Sequence, residues 1–525
     1  MSDKGYRGSP RPAMGADRHG PSILKDYRNC AVILALGLTI LTLLSCLPYA
    51  PQGPFDARDY TRVAGMRLEQ HPWEALIEPL AAPFMILAGA PDFRIAGFSV
   101  LIWVLLGAAA WGMFAEYRAQ RRKKPFAIVL KGIQMALVAS STLILIIFLF
   151  VVARIPGWRL VVDDPNLLVA DLHSHTTKSH DGLVSTLTNL EWHASCGYNV
   201  VALTDHDELF AHELQVKADS SFDRLPAFIS GVEVHTSQRA MVLGICNCKA
   251  PPFQLKMGME ETADRTAWFS RKIHEDCGGA VIVVTLKRLR TEDIARLADD
   301  GVDGFEIVNS GHPDLPPSLR REVLDTCRSR GLVLVASTDW HGWTGMAKTW
   351  NVIRAPGASA LSPSQRANLV LRKLREHDSA DIIPVVAGYI GEPSLVRAIF
   401  SPFAESLRYA LELSAARVIS WWIWVWAVFV LWAFLHRIGA RPGSILLVSL
   451  VGATGLCLIF SALSLIRQGT ESVTSFPLRI GLISVAIGAA AVGCSTFRGV
   501  TLLMWMRRKG RIEERGGNQY QPGPR

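Results

Sequence analysis

Apolar residues along this chain of 525 fall into two kinds of run. Long blocks occupy 30–47, 96–115, 128–152, 418–435, 445–466 and 480–497. Each is near the length of about 20 residues that crosses a bilayer as a helix. The first could instead be a signal peptide, but a long polar segment precedes it and Pro51 directly follows Ala50, which favours an uncleaved span. A seventh stretch, 76–90, is interrupted by Pro79 and Pro83 and reads as an interfacial or re-entrant piece. Residues 1–29 are rich in Gly, Pro, Arg and Ser without apolar periodicity, the pattern of a disordered basic tail.

Between the long blocks the apolar runs are short. Strands are expected at 167–170, 200–203, 227–234, 241–245, 280–284, 304–308 and 332–336. Stretches with helical spacing separate many of them, notably 184–196, 260–277 and 317–330, each followed by a glycine suited to ending a helix. Ser362-Pro363 opens a further helix with a cap and a proline at its first position. Seven strands alternating with helices predict a parallel α/β barrel. The chain therefore divides into a tail (1–29), an N-terminal membrane region (30–155), a barrel domain (163–393), an amphipathic connector (394–417), a C-terminal membrane region (418–506) and a basic tail (507–525).

Composition agrees: the chain is 50% hydrophobic and only 19% charged. Its net charge of +9 would suit nucleic acid, but much of it lies beside apolar blocks, where it sets orientation. Arg118, Arg121, Arg122, Lys123 and Lys124 place the loop after the second span in the cytoplasm, so the barrel, one span later, lies outside it. Arg507, Arg508, Lys509, Arg511 and Arg515 follow the last span and give the same count from the other end. Six spans with both termini cytoplasmic are expected, in a bacterial-type plasma membrane. Trp421, Trp422, Trp424 and Trp426 fit an aromatic belt at the outer interface. The nine cysteines form no framework, and Cys246-Asn247-Cys248 lacks the second pair that a zinc knuckle needs.

The chemistry concentrates at predicted strand ends. Asp171-Leu172-His173-Ser174-His175 is followed by Ser179-His180-Asp181-Gly182 and then by Ala202-Leu203-Thr204-Asp205-His206-Asp207. His173 and His175, two apart at a strand end, point to one side and can share a metal ion. α/β barrels place their chemistry at the C-terminal ends of strands.

These three motifs, with Gly231-Val232-Glu233-Val234 and Ser337-Thr338-Asp339-Trp340-His341, resemble those of the PHP family (polymerase and histidinol phosphatase) over roughly 163–393. The resemblance implies a distorted seven-stranded β/α barrel, here flanked by about three transmembrane helices on each side. It implies that His173, His175, Glu233 (bridging) and Asp339 hold a first metal, and Asp181, His206 and His341 a further one. Whether His180 or Asp181 faces the metal is open, with Asp181 favoured. Asp171 and Asp205 are expected one step back, fixing a histidine's tautomer.

The ligand types suit zinc, manganese or iron. Two such ions about 3.5–4 Å apart would bind phosphoester oxygens and bring a water near ionisation at neutral pH. The nucleophile is then that water, not a side chain. Two ions are expected, three at most, because two family histidines are missing: Arg239-Ala240-Met241-Val242 and Thr285-Leu286-Lys287-Arg288 stand where they would be. Either His235 or His312 substitutes, or fewer metals bind and Arg239, Lys287 or Arg288 supplies fixed positive charge.

The leading expectation is a membrane-anchored metal-dependent phosphoesterase acting on a phosphorylated small molecule, a nucleotide or a membrane-presented substrate. The alternatives are a 5′-3′ exonuclease-type phosphodiesterase, for which Trp340, Trp343 and Trp350 offer base-stacking rings, and a non-catalytic metal or anion sensor coupled to the spans. His193 and His274 are expected to be packed or exposed rather than ligands. Glu306 and Asn309 are read either as substrate contacts or as polar barrel caps.

Overall fold

Alternation of short apolar runs with amphipathic helices produces, between residues 167 and 387, most of one curled sheet with helices packed outside it. The computed structural model describes residues 20–48, 53–89, 93–119, 125–153, 158–207, 225–236, 240–246, 265–285, 288–311, 315–343, 347–388, 395–437, 442–470 and 475–517. The chain opens with α1 (Gly20–Ser45), β1 (Pro54–Asp56), β2 (Met66–Glu69), a 3-10 turn (Pro72–Ile77), α2 (Glu78–Gly89), α3 (Phe93–Ala119), α4 (Pro125–Ala153) and β3 (Arg159–Val162). The barrel follows: β4 (Leu167–Asp171), α5 (Thr186–Ser195), β5 (Val200–His206), β6 (Ala227–His235), β7 (Met241–Cys246), α6 (Arg265–Cys277), β8 (Ala280–Val284), α7 (Thr291–Asp299), β9 (Gly304–Asn309), α8 (Pro317–Arg330), β10 (Val333–Ser337), β11 (Thr349–Arg354), α9 (Pro363–Arg375) and β12 (Ile382–Ala387). Then come α10 (Leu395–Glu412), α11 (Ala415–Arg437), α12 (Pro442–Thr470) and α13 (Phe476–Gly517).

The expected seven strands all form, as β4 to β10, but the sheet has ten, in the order β1-β12-β11-β4-β5-β6-β7-β8-β9-β10. It is also mixed, not parallel. β7 is antiparallel to both neighbours. The reason is the short link between β6 and β7: a parallel pair needs a crossover of about a dozen residues or more, and this link can only make a hairpin. β11 and β12, antiparallel to each other, were concealed in the sequence, β12 by Pro384 within an apolar run. β1 pairs with β12, so a segment beyond the first apolar block belongs to the barrel sheet.

Asn351 seals the seam between β10 and β4. Its Oδ1 accepts from the Ala336 N–H (2.9 Å), and its Nδ2 donates to the carbonyls of Ala336 (2.6 Å) and Ala170 (3.2 Å). The helices outside are bounded by their own caps. Ser362 Oγ accepts from Gln365 N while Gln365 Oε1 accepts from Ser362 N, a reciprocal box at the start of α9. Gly331 ends α8 at φ 69°, a conformation cheap only for glycine.

Among the described residues, six helices are long and apolar enough to cross a membrane: Arg28–Ser45, Ile95–Arg118, Pro125–Ala153, Ala415–Arg437, Ser444–Gln468 and Phe476–Thr501. α2 has 12 residues, about 18 Å at 1.5 Å per residue, too short for a hydrocarbon core of about 30 Å. It instead packs Phe84 on Phe150 of α4, rings 5.6 Å apart. β1 follows α1 and joins the barrel sheet, while β3 follows α4, pairs with β2 in a separate two-stranded sheet and donates from Leu160 N to the Cys196 carbonyl at the end of α5. Arg417, buried at the start of α11, is paired with Glu74 (3.2 Å) and Glu78 (2.9 Å), as a buried charge must be. The indole N–H groups of Trp421, Trp422 and Trp424 donate to Tyr409 Oη, Thr42 Oγ1 and the Leu76 carbonyl.

Replacing Asn351 by leucine is expected to strand the buried Ala336 N–H, a cost of about 1–3 kcal/mol. Asn351→Leu should lower the thermal midpoint of the purified chain, and an unchanged midpoint would mean that the seam does not depend on this amide.

Candidate metal centre

β4, β5, β6 and the loop after β10 deliver their last residues to one point. Successive side chains on a strand alternate sides, so the residues two apart at the end of β4, His173 and His175, converge. Their Nε2 atoms are 3.0 Å apart. Glu233 Oε2 lies 3.3 Å from both, and Asp339 Oδ1 lies 3.3 Å from His173 and 3.2 Å from His175. All four side chains are buried. A tetrahedral ion with bonds of about 2.0–2.1 Å holds its donors about 3.3 Å apart. The distances from the two histidine nitrogens, 3.0 Å to each other and 3.2–3.3 Å to the carboxylates, are close to that figure.

A second group, His175, Asp181, His206 and His341, adjoins the first. Asp181 Oδ2 is 3.2 Å from His341 Nε2 and 3.5 Å from His206 Nε2. Glu233 Oε2 is also 3.1 Å from His206 Nδ1, so this carboxylate stands between the groups. Asp181 Oδ1 is buried and accepts no hydrogen bond, which a cation would remedy. These two groups could hold metal ions.

The outer face of each ring is tied to the protein. His173 Nδ1 is 2.8 Å from Glu306 Oε1, His175 Nδ1 is 3.0 Å from Ser179 Oγ, and His341 Nδ1 is 2.8 Å from the Asp339 carbonyl. With Nδ1–H donating outward, the neutral form of each ring turns its Nε2 lone pair inward. Asn309 Nδ2 donates to Glu306 Oε2 (3.0 Å) and steadies it. Two backbone features complete the frame. Asp339 has φ 51°, an uncommon conformation for a side-chain-bearing residue. A Cβ on Gly311 would stand 2.7 Å from Asp339 Oδ2, so only glycine fits beside that carboxylate.

Electrostatics follow from burial and proximity. Burial alone would push the His173 imidazole down, but Asp339, Glu306 and Glu233 outweigh it and hold it well above the ordinary histidine value. Burial would push Asp339 and Glu233 up, yet the histidines around them hold both far below the usual carboxylate range. The same holds for Asp181 beside His206 and His341. Protons thus neutralise the site as a metal would.

Other expected site residues fall out differently. Asp181, not the exposed His180, joins the cluster. Asp171, expected to fix a histidine's tautomer, does face a histidine, but it is His193, which belongs to neither donor group. Asp171 Oδ2 faces His193 Nε2 (2.9 Å), and Asp205 accepts from Thr176 N, Thr176 Oγ1 and Ser179 N. Asp171 Oδ1 also accepts from the backbone N–H groups of His173 and Thr338, so both carboxylates brace the backbone that carries the ligands. Glu306 takes the role given to them. Its only signal in the sequence was its place in the strand at 304–308. His235 enters neither group; its Nδ1 lies 3.4 Å from Arg288 Nη2. Arg239, Lys287 and His312 lie outside the described residues. The three tryptophans are not open to bases: Trp350 is fully buried, Trp340 stacks on Trp192 at 4.0 Å, and Trp343 packs on Phe476.

No protein-family model matches this chain, and no curated protein matches it. Two solved structures align with part of it. One is an amidohydrolase from Chromobacterium violaceum with bound sulfate and no metal, at 16% identity over 33% of this chain and 87% of that one, TM-score 0.24. The other is PsfC from Pseudomonas syringae PB-5123, at 14% identity over 47% and 99%, TM-score 0.28. At these scores neither likeness bears on fold or activity.

Glu306→Gln removes the charge behind His173 while keeping its shape. It should weaken metal binding by about 10–100-fold, read by competition with a metal indicator; unchanged affinity would show that Glu306 does not orient the ring. Because His173 is raised above about 6.5 and a ligand must be neutral, metal uptake near neutral pH should release protons. Apparent affinity should rise with pH until His173 has lost its proton. Calorimetry in buffers of different ionisation enthalpy checks this, and identical heats in all buffers would refute it.

Proposed function

We propose that this chain is a membrane-anchored, metal-dependent phosphoesterase of PHP type, with its catalytic domain spanning about 163–393. The observation that carries the reading is the buried set His173, His175, Glu233 and Asp339, whose spacing fits a tetrahedral ion and whose members occupy the motif positions described above. A divalent metal held there would supply Lewis acidity and a water acid enough to attack phosphorus near neutral pH. The chain's own residues do the rest. Asp181, His206 and His341 form the more open half, where Asp181 keeps a partly exposed side chain at the rim. Glu306, Ser179 and the Asp339 carbonyl hold the Nδ1 protons of His173, His175 and His341 outward. Arg288, 3.4 Å from His235 Nδ1, would offer fixed positive charge to an anionic ester.

The basic loop at 118–124 and the basic tail favour a barrel outside the cytoplasm and termini inside it. A nuclease is the less favoured enzyme, since the tryptophans that would stack on bases are engaged in packing. The full chain is the proper material for a test, because β1 lies outside the barrel segment and completes its sheet. Loaded with manganese or zinc, it should release phosphate from generic phosphomonoesters or cleave phosphodiesters. Turnover and metal content should both fall to background in a His173→Ala, His175→Ala double variant. Stoichiometric metal without turnover on either ester class would replace this reading with that of a metal sensor.

A further inference from the structure

The loops that carry the rim ligands also carry the contacts to the candidate spans. Asp181 sits in the loop that continues through Leu183 and Val184 to Ser185, and the Ser185 N–H donates to Gln468 Oε1 (3.2 Å). His341 sits in the loop that continues to Trp343, whose ring lies 5.5 Å from that of Phe476. Gln468 closes the candidate span Ser444–Gln468, and Phe476 opens Phe476–Thr501. The two loops are locked together: the Leu183 N–H donates to the His341 carbonyl (2.8 Å), and Gly342, at φ 85°, leaves room for Val184, whose Cγ1 would lie 2.7 Å from an added Cβ. Leu183, Val184, Trp340 and Leu465 belong to one continuous apolar cluster that runs from α12 into the site end of the barrel.

Chain reach sets the scale. His341 is two residues from Trp343, at most about 7.6 Å between Cα atoms, and Asp181 is four from Ser185, at most about 15 Å. The polar zone on each side of a bilayer is about 5–8 Å thick. The rim ligands are therefore a few residues of chain and one side-chain contact away from the ends of the candidate spans Ser444–Gln468 and Phe476–Thr501. Arg467 and Arg479, both exposed, stand at the same span ends, where cations meet anionic headgroups. A freely dissolved substrate gains nothing from a site held so close to lipid. An ester whose alkyl tail stays in the leaflet gains local concentration and orientation.

We propose that the substrate is an amphiphile, a phosphate ester carried on a long alkyl chain and presented from the leaflet that meets the ends of α12 and α13. The bond broken rests on the phosphoesterase reading above; the placement of the site against the bilayer does not. In the reaction, water oxygen forms a new bond to phosphorus as the phosphorus–oxygen bond to the alkyl chain breaks, and the leaving alkoxide takes up a proton to become the alcohol.

The test uses the full chain in phosphatidylcholine nanodiscs, loaded with manganese(II), with the His173→Ala, His175→Ala variant as control. Two measurements are made: phosphorus NMR relaxation of the lipid headgroups, and kcat/KM for hexadecyl phosphate in the disc against butyl phosphate in solution. Site-bound manganese should speed lipid phosphorus relaxation beyond the control. The long-chain ester should be favoured by about tenfold or more, the equivalent of about 1.4 kcal/mol. Lipid relaxation equal to the control while manganese is bound would overturn the placement and the proposal together. Equal or faster turnover of butyl phosphate would overturn the substrate class and leave the phosphoesterase standing. Enhanced relaxation with no turnover of either ester would overturn the phosphoesterase reading, and its lipid substrate with it, while the site remained at the bilayer.

Discussion

Four ionisable donors buried within 4.8 Å of one another are tenable only when their charges balance. His173, His175, Glu233 and Asp339 meet that constraint with two imidazoles against two carboxylates, and either protons or a divalent cation can complete it. Much of the barrel's local architecture serves this balance. Glu306, behind His173, adds a third carboxylate to the buried set, which leaves it short of positive charge and therefore receptive to metal. The positive φ of Asp339 and the bare Cα of Gly311 show that backbone conformation is committed to the same four atoms.

The barrel is shaped around this point by a sheet less regular than a parallel repeat. The β6–β7 hairpin turns the chain back where a crossover helix would otherwise stand, so Glu233 reaches the site from a strand flanked by one parallel and one antiparallel neighbour. Asn351 then substitutes for ladder hydrogen bonds where β10 approaches β4. Since β10 leads directly to Asp339 and β4 directly to His173, a side-chain amide on β11 bears on how closely the donors carried by these two strands can approach.

Attachment to the apolar helices is part of the same structure. β1 and β3, which follow the first and third candidate spans, pair into the sheets, while Ser185 and Trp343 tie the site loops to α12 and α13. Movement of the spans would therefore reach Asp181 and His341 through short, locked segments. The buried Arg417 with Glu74 and Glu78 fixes the remaining corner, where α2 and α11 meet.

The local code of the chain determined its elements. Apolar period and turn residues located β4 to β10, the helix caps at Ser362 and Gly331, and six helices long enough to cross a membrane, because those features depend on neighbours a few residues away. Strand spacing alone paired His173 with His175, since ligands two apart on a strand need no tertiary information to converge, while the motif resemblance brought forward Asp181, His206, Glu233, Asp339 and His341, which fill the two donor groups with them. What depends on distant partners was not legible. Pro384 hid β12, whose place is secured by pairing with β11 and β1. Nothing around Glu306 distinguishes a barrel cap from the partner of His173, 133 residues away, and Asp171 and Asp205 could be aimed only by the assembled sheet. The antiparallel course of β7, the seam at Asn351 and the meeting of the metal centre with the ends of α12 and α13 were decided by tertiary structure, because each is a contact between segments that the sequence lists far apart.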